Sequence, residues 1–131
     1  AQINKDFEAY QKMPRRTFIG ARTREYRFAQ YVEDWRIKVE RFGNLNYPEQ
    51  ARQRKIYGSL QLTVSIRADG SLENAEISRS SGQPVLDAAA LRIVKLAAPF
   101  AALPASIRKD TDILSITRTW TFTQSDKLES E

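Results

Sequence analysis

The sequence contains no cysteine and no histidine. Without cysteine it has no thiol nucleophile and no disulfide. Without histidine it lacks the most frequent general base and the usual nitrogen ligand of zinc and copper. It also contains no run of about 18 apolar residues, the length that a membrane-spanning helix requires. These absences argue against cysteine- or histidine-dependent enzymes and against zinc or copper proteins, but they leave the cellular compartment open.

Basic residues outnumber acidic ones. The chain carries 21 Lys and Arg against 16 Asp and Glu, for a net charge of +5. The excess lies in residues 1–58, which hold 13 basic and 7 acidic residues. Such a basic half could attract lipid headgroups, peptidoglycan-associated polymers or nucleic acid. A solvated basic surface is the plainer interpretation and the one we adopt.

A chain of 131 residues, 41% of them hydrophobic, has the size of one domain with a tail. We interpret residues 1–21, which are polar and basic without sustained periodicity, as a flexible arm. Residues 22–125 then form the domain, and residues 126–131 form a frayed, charged end. Because the chain begins with Ala1 rather than methionine, we expect a fragment of a longer protein.

A β-hairpin is the clearest local prediction. Residues 60–66 alternate apolar and polar without a break, which is typical of a strand with one buried face. Asp69-Gly70 follows and favours a two-residue hairpin turn. The second strand is expected over residues 72–78. Its apolar residues change parity at Leu72, so we expect a bulge or a twist beside the turn.

Three helices are also predicted. The first helix is predicted over residues 24–41, with Thr23 as its N-terminal cap and Gly43 ending it. Its apolar residues recur at steps of three and four. This stripe consists of Phe28, Tyr31, Val32, Trp35, Val39 and Phe42. We interpret it as core, because the mixed charges of the other face do not suit a helix on a membrane surface. Two further helices begin at Pro48 and Pro84.

The longest predicted strand runs over residues 113–123 and is the third of the sheet. A helix connects the second strand to the third, which makes these two parallel and places the first strand between them. The expected fold is α+β: a three-stranded antiparallel sheet, order 2-1-3, with helices packed on one face and an extra N-terminal amphipathic helix. The third strand is then an edge, which is either covered or kept open for a partner strand. Arg118 lies on its apolar parity, where the guanidinium would reach water or a carboxylate.

A series of short motifs runs through residues 44–123. They are Tyr47-Pro48, Ala51-Arg52, Gly58, Asp69-Gly70, Ala75-Glu76-Ile77, Ser80-Ser81-Gly82, Leu86-Asp87-Ala88-Ala89, Ala98-Pro99-Phe100 and Arg118-Thr119-Trp120-Thr121-Phe122. In this order and spacing they resemble the C-terminal domain of the TonB family, the energy transducers of the Gram-negative envelope. The resemblance implies a periplasmic, non-enzymatic domain without a cofactor. It also implies an inner-membrane anchor and a proline-rich spacer outside this sequence.

The resemblance implies partners as well. The family adds a short segment of an outer-membrane TonB-dependent receptor, the TonB box, at its last strand. Its anchor engages an ExbB–ExbD-like motor driven by the proton-motive force, for uptake of substrates such as iron siderophores. The residues expected to contact the receptor segment are Asn44, Leu45, Asn46, Tyr47, Ser115, Thr117, Arg118, Thr119 and Thr121. No metal and no nucleic acid are expected, and a homodimer is left open.

One family feature is missing from this sequence. The family carries Gln-Pro just before its Tyr-Pro pair, whereas Asn44 and Leu45 stand there in this chain. The Asn44 amide could bind a peptide, but Leu45 does not fix φ as proline does. The departure keeps an alternative open: an envelope tether resembling the TolA C-terminal domain, or a TonB relative that serves a non-iron system.

Two other function classes have weaker support. An enzyme could use paired acids such as Asp110 and Asp112, but the sequence offers no nucleophile with a base beside it. Carboxylates next to Lys109 in a loop are more typical of a solvated turn. A nucleic-acid binder would suit the basic charge, but the predicted solvent face of the sheet offers threonines rather than aromatic rings for base stacking.

Overall fold

The computed structural model describes residues 13–23 and 25–131. Its strands are β1 (Arg16–Ile19), β2 (Gly58–Arg67), β3 (Leu72–Arg79), β4 (Ile113–Phe122) and β5 (Leu128–Ser130). Its helices are α1 (Tyr26–Leu45), α2 (Glu49–Arg54), α3 (Pro84–Ala97) and α4 (Ala105–Arg108). None of these four helices is long and apolar enough to cross a membrane.

The strands form one mixed sheet. β2 lies between β3 and β4 and pairs with both in antiparallel fashion, so the three predicted strands keep the order 2-1-3. The prediction of a three-stranded sheet is nevertheless wrong, because β4 carries two more strands on its other side. β1 pairs with it in parallel and β5 in antiparallel fashion. The α+β class is confirmed, with a sheet of five strands.

The two additional strands lie in segments for which no strand was predicted. β1 belongs to the segment that was predicted to be a flexible arm. That prediction is wrong for residues 16–19, and residues 1–12 lie outside the described residues. β5 belongs to the predicted frayed end. Leu128 and Ser130 are only 2% and 3% exposed, so this end is packed against the domain.

The β2–β3 hairpin is confirmed, with a wider turn than predicted. Four residues, 68–71, connect the strands instead of two, and Gly70 adopts a φ of +91°. The Asp69 carboxylate accepts hydrogen bonds from the N–H and the hydroxyl of Ser71, at 2.9 and 2.6 Å, which stabilises this loop. The strand register shifts between Ser65 and Ile66, which confirms the bulge expected beside the turn.

Helix α1 packs its apolar stripe into the core. Phe28 and Trp35 are each 3% exposed, and Val39 is fully buried. The helix continues to Leu45, so the prediction that Gly43 ends it is wrong. Gly43 instead lies against Leu128 of β5, whose side chain occupies the space that a Cβ at position 43 would need. Glycine at this position therefore serves packing between α1 and β5.

The two faces of the sheet differ in chemistry. The face toward α1 and α3 carries the core, with fully buried Leu60, Leu62, Val64, Ile66, Leu114, Ile116 and Trp120. The opposite face carries paired hydroxyls, such as Thr63 with Thr117 at 2.8 Å. α3 begins at Pro84, as predicted, and α4 is a single turn.

Candidate partner-binding edge

The outer edge of β4, on the side away from β2, is the edge for which the sequence left two alternatives: covered, or kept open for a partner strand. Thr119 exchanges two backbone hydrogen bonds with Glu131: its N–H donates at 2.9 Å and its carbonyl accepts at 2.8 Å. The N–H of Thr123 donates to the Lys127 carbonyl at 2.8 Å. Odd-numbered residues of β4 therefore direct their backbone groups toward the outer edge, as antiparallel pairing with β2 requires.

Two short strands cover most of this edge. β1 lies opposite residues 113–116, and β5 lies opposite residues 120–122. Of the two alternatives that the sequence left for this edge, the structure shows the covered one. Its amides and carbonyls are paired from within the chain, which removes the hazard of an exposed edge. Between the two covering strands, Thr117 and Arg118 pair with neither.

Helix α1 holds β5 from the other side. The Asn44 side chain meets the Leu128 backbone: Oδ1 accepts from the N–H at 2.9 Å, and Nδ2 donates to the carbonyl at 3.4 Å. The Glu40 carboxylate accepts from the Ser130 N–H at 2.7 Å. The C-terminal segment therefore lies in a groove between β4 and the end of α1. Hydrogen bonds reach its backbone from both walls.

β1 is held by charged pairs and by one buried side chain. The Arg15 guanidinium bonds both oxygens of Asp112, at 3.0 and 3.1 Å, and this hydrogen bonding lowers the pKa of Asp112 to about 2. Arg16 pairs with Glu73 through two contacts of 2.9 Å. Exposed ion pairs contribute little to stability. Ile19, which is 3% exposed, is therefore the stronger anchor.

The predicted contact residues of the 44–47 segment lie in different settings. Asn44 faces the groove, whereas Leu45 is 75% exposed. The Asn46 amide donates to the Phe42 carbonyl within the end of α1. Tyr47 is buried and packs edge-on against Phe122, with ring centroids 5.7 Å apart. Of these four side chains, Asn44 and Tyr47 contact the strand pair β4–β5.

The predicted contact residues of β4 divide between the two sheet faces. Ser115 is buried and shares a hydrogen bond of 2.7 Å with Ser65. Thr117, Thr119 and Thr121 are half-buried on the same hydroxyl face. Arg118 points to the opposite face, and its Nη1 donates to the Thr117 carbonyl at 2.9 Å.

Sequence reasoning missed three residues of the groove: Glu40, Gly43 and Leu128. In the sequence, Glu40 is one of several charged residues on the polar face of α1, and Gly43 indicates the end of the helix. The alternation at residues 128–130 is too short to predict a strand. The one available signal was Gly43 itself. A glycine within the apolar stripe of a helix often marks a place where another segment packs closely against the helix.

The carboxylates considered as catalytic acids form ion pairs. Arg27 bonds both oxygens of Asp110, at 2.8 and 2.9 Å, and Arg15 bonds Asp112. Among the described residues, no group of three or more acidic or other metal-ligating side chains could hold a metal ion. The charged cluster at this end of the sheet thus fastens β1 and α1 to the loop before β4.

A family described as Gram-negative bacterial TonB protein C-terminal matches residues 43–123, more than half of the chain. The chain belongs to the TonB C-terminal family. The match begins in the last turn of α1 and ends next to the last residue of β4. Both strands that cover the outer edge of β4 therefore lie outside the matched residues.

Two curated relatives agree with this assignment. Protein TonB of Pasteurella multocida is 37% identical over 67 residues, which cover 51% of this chain and 26% of the relative. Protein TonB of Haemophilus influenzae is 30% identical over 86 residues, which cover 66% of this chain and 31% of the relative. The matched segment thus spans about a quarter to a third of the length of these relatives.

A solved structure is similar in fold. The solution structure of the Helicobacter pylori TonB C-terminal domain matches with a TM-score of 0.53 and 25% sequence identity. The superposition covers 72% of this chain and 82% of the other. The TonB-like fold thus extends over most of the domain.

Asn44→Ala is expected to loosen β5. The substitution removes both side-chain hydrogen bonds to the Leu128 backbone and leaves the Leu128 N–H without its acceptor, a loss of about 1–3 kcal/mol. Amide hydrogen exchange at Leu128 should then accelerate roughly tenfold or more. Asn46→Ala is the matched control, because the Asn46 amide bonds the Phe42 carbonyl within α1. Equal protection of Leu128 in the two variants would contradict the role given to Asn44.

Proposed function

We propose that this domain binds an extended segment of an outer-membrane TonB-dependent receptor as an added strand on the outer edge of β4. One observation carries the proposal: this edge already pairs with two short strands, one parallel and one antiparallel. Its backbone thus accepts a short strand in either direction. Strand addition obtains affinity from main-chain hydrogen bonds and specificity from side-chain pockets.

We also propose that the domain is the periplasmic end of a longer energy transducer and is not an enzyme. In this proposal an inner-membrane anchor engages an ExbB–ExbD-like motor, and the domain passes the resulting force to the receptor. Uptake of substrates such as iron siderophores is the corresponding process. Membership of the TonB C-terminal family supports these assignments.

The receptor segment would take the place of β5. In the described residues, three buried polar atoms at this strand and its turn lack a hydrogen-bond partner: Tyr47 Oη, Asp126 Oδ1 and Ser130 Oγ. Each buried group left unsatisfied costs about 1–3 kcal/mol. Displacing β5 would also expose Leu128, which is 2% exposed, so the incoming strand must supply an apolar side chain in its place. A longer strand that also satisfies these polar atoms would displace β5.

β1 is expected to stay in place when the receptor segment binds. Ile19 is buried in the core, and Arg15 holds Asp112 through two hydrogen bonds. Displacing β1 would expose the Ile19 side chain, whose burial contributes about 1.5–3 kcal/mol. The added strand should therefore occupy the half of the edge that runs from Thr117 to Thr123.

A second function is favoured by residues 44 and 45. Both are helical, within the last turn of α1, and Asn44 is engaged with Leu128. They therefore do not offer the extended Gln-Pro contact of the family. This favours a partner other than an iron-siderophore receptor, such as one served by a TolA-like tether or by a TonB relative of a non-iron system. Recovery of outer-membrane proteins on the immobilised domain would separate the two functions by the receptor retained.

Amide chemical-shift mapping tests strand addition directly. The probes are synthetic peptides with the N-terminal sequences of candidate outer-membrane transporters. We expect the largest shifts at residues 117–123, because the new strand pairs there. The amides of residues 128–131 should at the same time move to positions typical of an unpaired chain.

Scrambled peptides of the same composition are the control for this mapping. Shifts confined to the exposed edge at β3, with β4 unchanged, would contradict the proposal. So would shifts on β4 in which the β5 amides keep their protection, because the two strands cannot share one set of backbone groups.

A further inference from the structure

Arg118 lies in the short gap between the two strands that cover the outer edge of β4, although its own backbone faces β2, where it pairs with Leu62. β1 ends opposite Ile116, and the C-terminal segment begins to pair at Thr119. The Arg118 side chain is half-buried on the α1 side of the sheet, and Nη1 donates to the Thr117 carbonyl at 2.9 Å. The carboxylate that the sequence suggested as its partner is not there: within the described residues, Arg118 forms no ion pair.

A cavity of about 220 Å³ opens beside this guanidinium. Four of its eight lining residues are apolar and come from β1 and α1: Ile19, Phe28, Ala29 and Val32. Two charged side chains of α1, Glu33 and Arg36, complete the lining together with Thr23.

The acidic residue of the cavity is already occupied. Arg36 donates to both Glu33 oxygens, at 2.6 and 3.0 Å, and also to Glu40 at 2.9 Å. Its hydrogen bonds lower the pKa of Glu33, so that carboxylate stays ionised and paired. Of the charges that line the cavity, Arg118 is the one without a counter-ion.

Partial burial makes this unbalanced charge a strong binding group. Desolvation lowers the pKa of Arg118, with no carboxylate to offset it, yet a guanidinium of this kind remains protonated at neutral pH. A carboxylate that enters such a site pairs with a planar guanidinium through charge-assisted, often bidentate hydrogen bonds.

We propose that this cavity is a carboxylate subsite, in which Arg118 binds the side chain of a Glu or Asp carried by the partner segment that adds to β4. The identity of the donor chain rests on the strand-addition function proposed above. Two observations select this occupant: a guanidinium without a counter-ion among the described residues, and the position of the cavity beside the gap between β1 and the C-terminal segment. The subsite would give an otherwise sequence-tolerant backbone interaction a preference for acidic segments.

A small-molecule test addresses the subsite alone. The probes are butyrate and butyramide, which share an apolar stem but differ in charge, each titrated into the ¹⁵N-labelled domain. We expect butyrate to shift the Arg118 Nε–Hε signal in a saturable manner over the millimolar range, with a much smaller effect of butyramide. No shift, or equal shifts with the two probes, would overturn the proposal.

Variants test which residue is responsible. Arg118→Gln should abolish the saturable butyrate effect on the neighbouring Ile19 and Val32 signals. Arg79→Gln removes the same charge from an exposed site on β3 and should leave the effect intact. Glu33→Gln should leave it intact or strengthen it. If Glu33→Gln were needed to reveal any butyrate binding, Glu33 would be the natural occupant and the proposal would be wrong.

A peptide pair then tests the donor chain. A transporter segment that binds the domain is compared with the same segment in which its acidic residue nearest Thr117 is changed from Glu to Gln or from Asp to Asn. We expect Kd to rise about tenfold, equivalent to about 1.4 kcal/mol, in the wild-type domain. In Arg118→Gln the two peptides should bind equally. Equal binding in the wild type would overturn the subsite and leave strand addition standing, whereas a butyrate response without peptide binding would overturn strand addition instead.

Discussion

Trp35→Ala is expected to destabilise the domain by about 3–5 kcal/mol, the range for removing a large buried aromatic side chain. Trp35 is 3% exposed and lies midway along α1, among the buried residues Tyr31, Val32 and Val39. The substitution leaves a cavity between α1 and the sheet that the helices cannot fully close. Denaturant unfolding, with the free energy extrapolated to water, is the measurement.

Tyr26→Ala is the control for this loss. It removes another aromatic ring from the same helix, but Tyr26 is 91% exposed, so the free energy of unfolding should change by no more than about 0.5 kcal/mol. The alternative interpretation of α1 as a membrane-surface helix makes the opposite prediction. A Trp35→Ala variant with unchanged stability that had lost binding to lipid vesicles would support that alternative.

The burial of Trp35 also bears on where the domain begins. The family match starts at residue 43, within the last turn of α1, yet most of the helix before that point belongs to the core. Glu40 and Asn44 on the same helix hold β5. α1 is thus an integral part of this domain, and it builds one wall of the groove that the C-terminal segment occupies.

The central part of the fold could be predicted because its signals are local. Alternation over residues 60–66 and the apolar stripe from Phe28 to Phe42 each contain enough residues to define a period. Their burial then follows from one face of the element being apolar. The change of parity at Leu72 even predicted the register shift at Ser65–Ile66. The order of the three predicted strands in the sheet followed from the way the chain connects them.

The strands that cover β4 could not be predicted in this way. β1 has four residues and β5 has three, which is too short for alternation to be distinguished from chance. β1 pairs with a strand almost one hundred positions away along the chain, as in the register of Arg16 with Ile113. Nothing local in the sequence specifies such a pairing.

At the candidate site, too, local features could be predicted from the sequence and long-range contacts could not. Parity correctly placed Arg118 on the apolar face, but its hydrogen-bond acceptor is the Thr117 carbonyl rather than a carboxylate. Asn44 was selected because its amide could bind a peptide. In this structure the peptide that it binds is the chain's own C-terminal segment. Residue chemistry could be anticipated, whereas the identity of the neighbouring segment depended on tertiary packing.

Thr119→Pro is expected to weaken partner binding severely while the domain remains folded. The Thr119 N–H and carbonyl point to the outer edge, where they bond Glu131 at 2.9 and 2.8 Å. Proline removes this N–H and places its ring toward an incoming strand, so an added segment loses a ladder hydrogen bond and meets a steric obstacle. Pairing of β4 with β2 uses the alternate residues and should persist.

The expected size of the effect follows from those two losses. A partner carbonyl left without its donor costs about 1–3 kcal/mol, and the ring excludes close pairing on either side of it. Together they should weaken binding of a transporter segment by roughly 100-fold, or about 2.8 kcal/mol. Thr119 is half-buried on the hydroxyl face, so the substitution removes no side chain from the core. Isothermal titration with the peptide gives Kd for each variant.

Two comparisons make the result interpretable. Thr119→Ser keeps the N–H and the hydroxyl and should bind nearly as tightly as the wild type. The amide spectrum of Thr119→Pro must retain the β2–β3 signals, which shows that the sheet is intact. The proline also breaks the contact with Glu131, so the end of β5 should exchange faster even without a partner. A folded Thr119→Pro variant with undiminished affinity would mean that the partner does not add to this edge, because an added strand would lose a ladder hydrogen bond at position 119 and meet the proline ring.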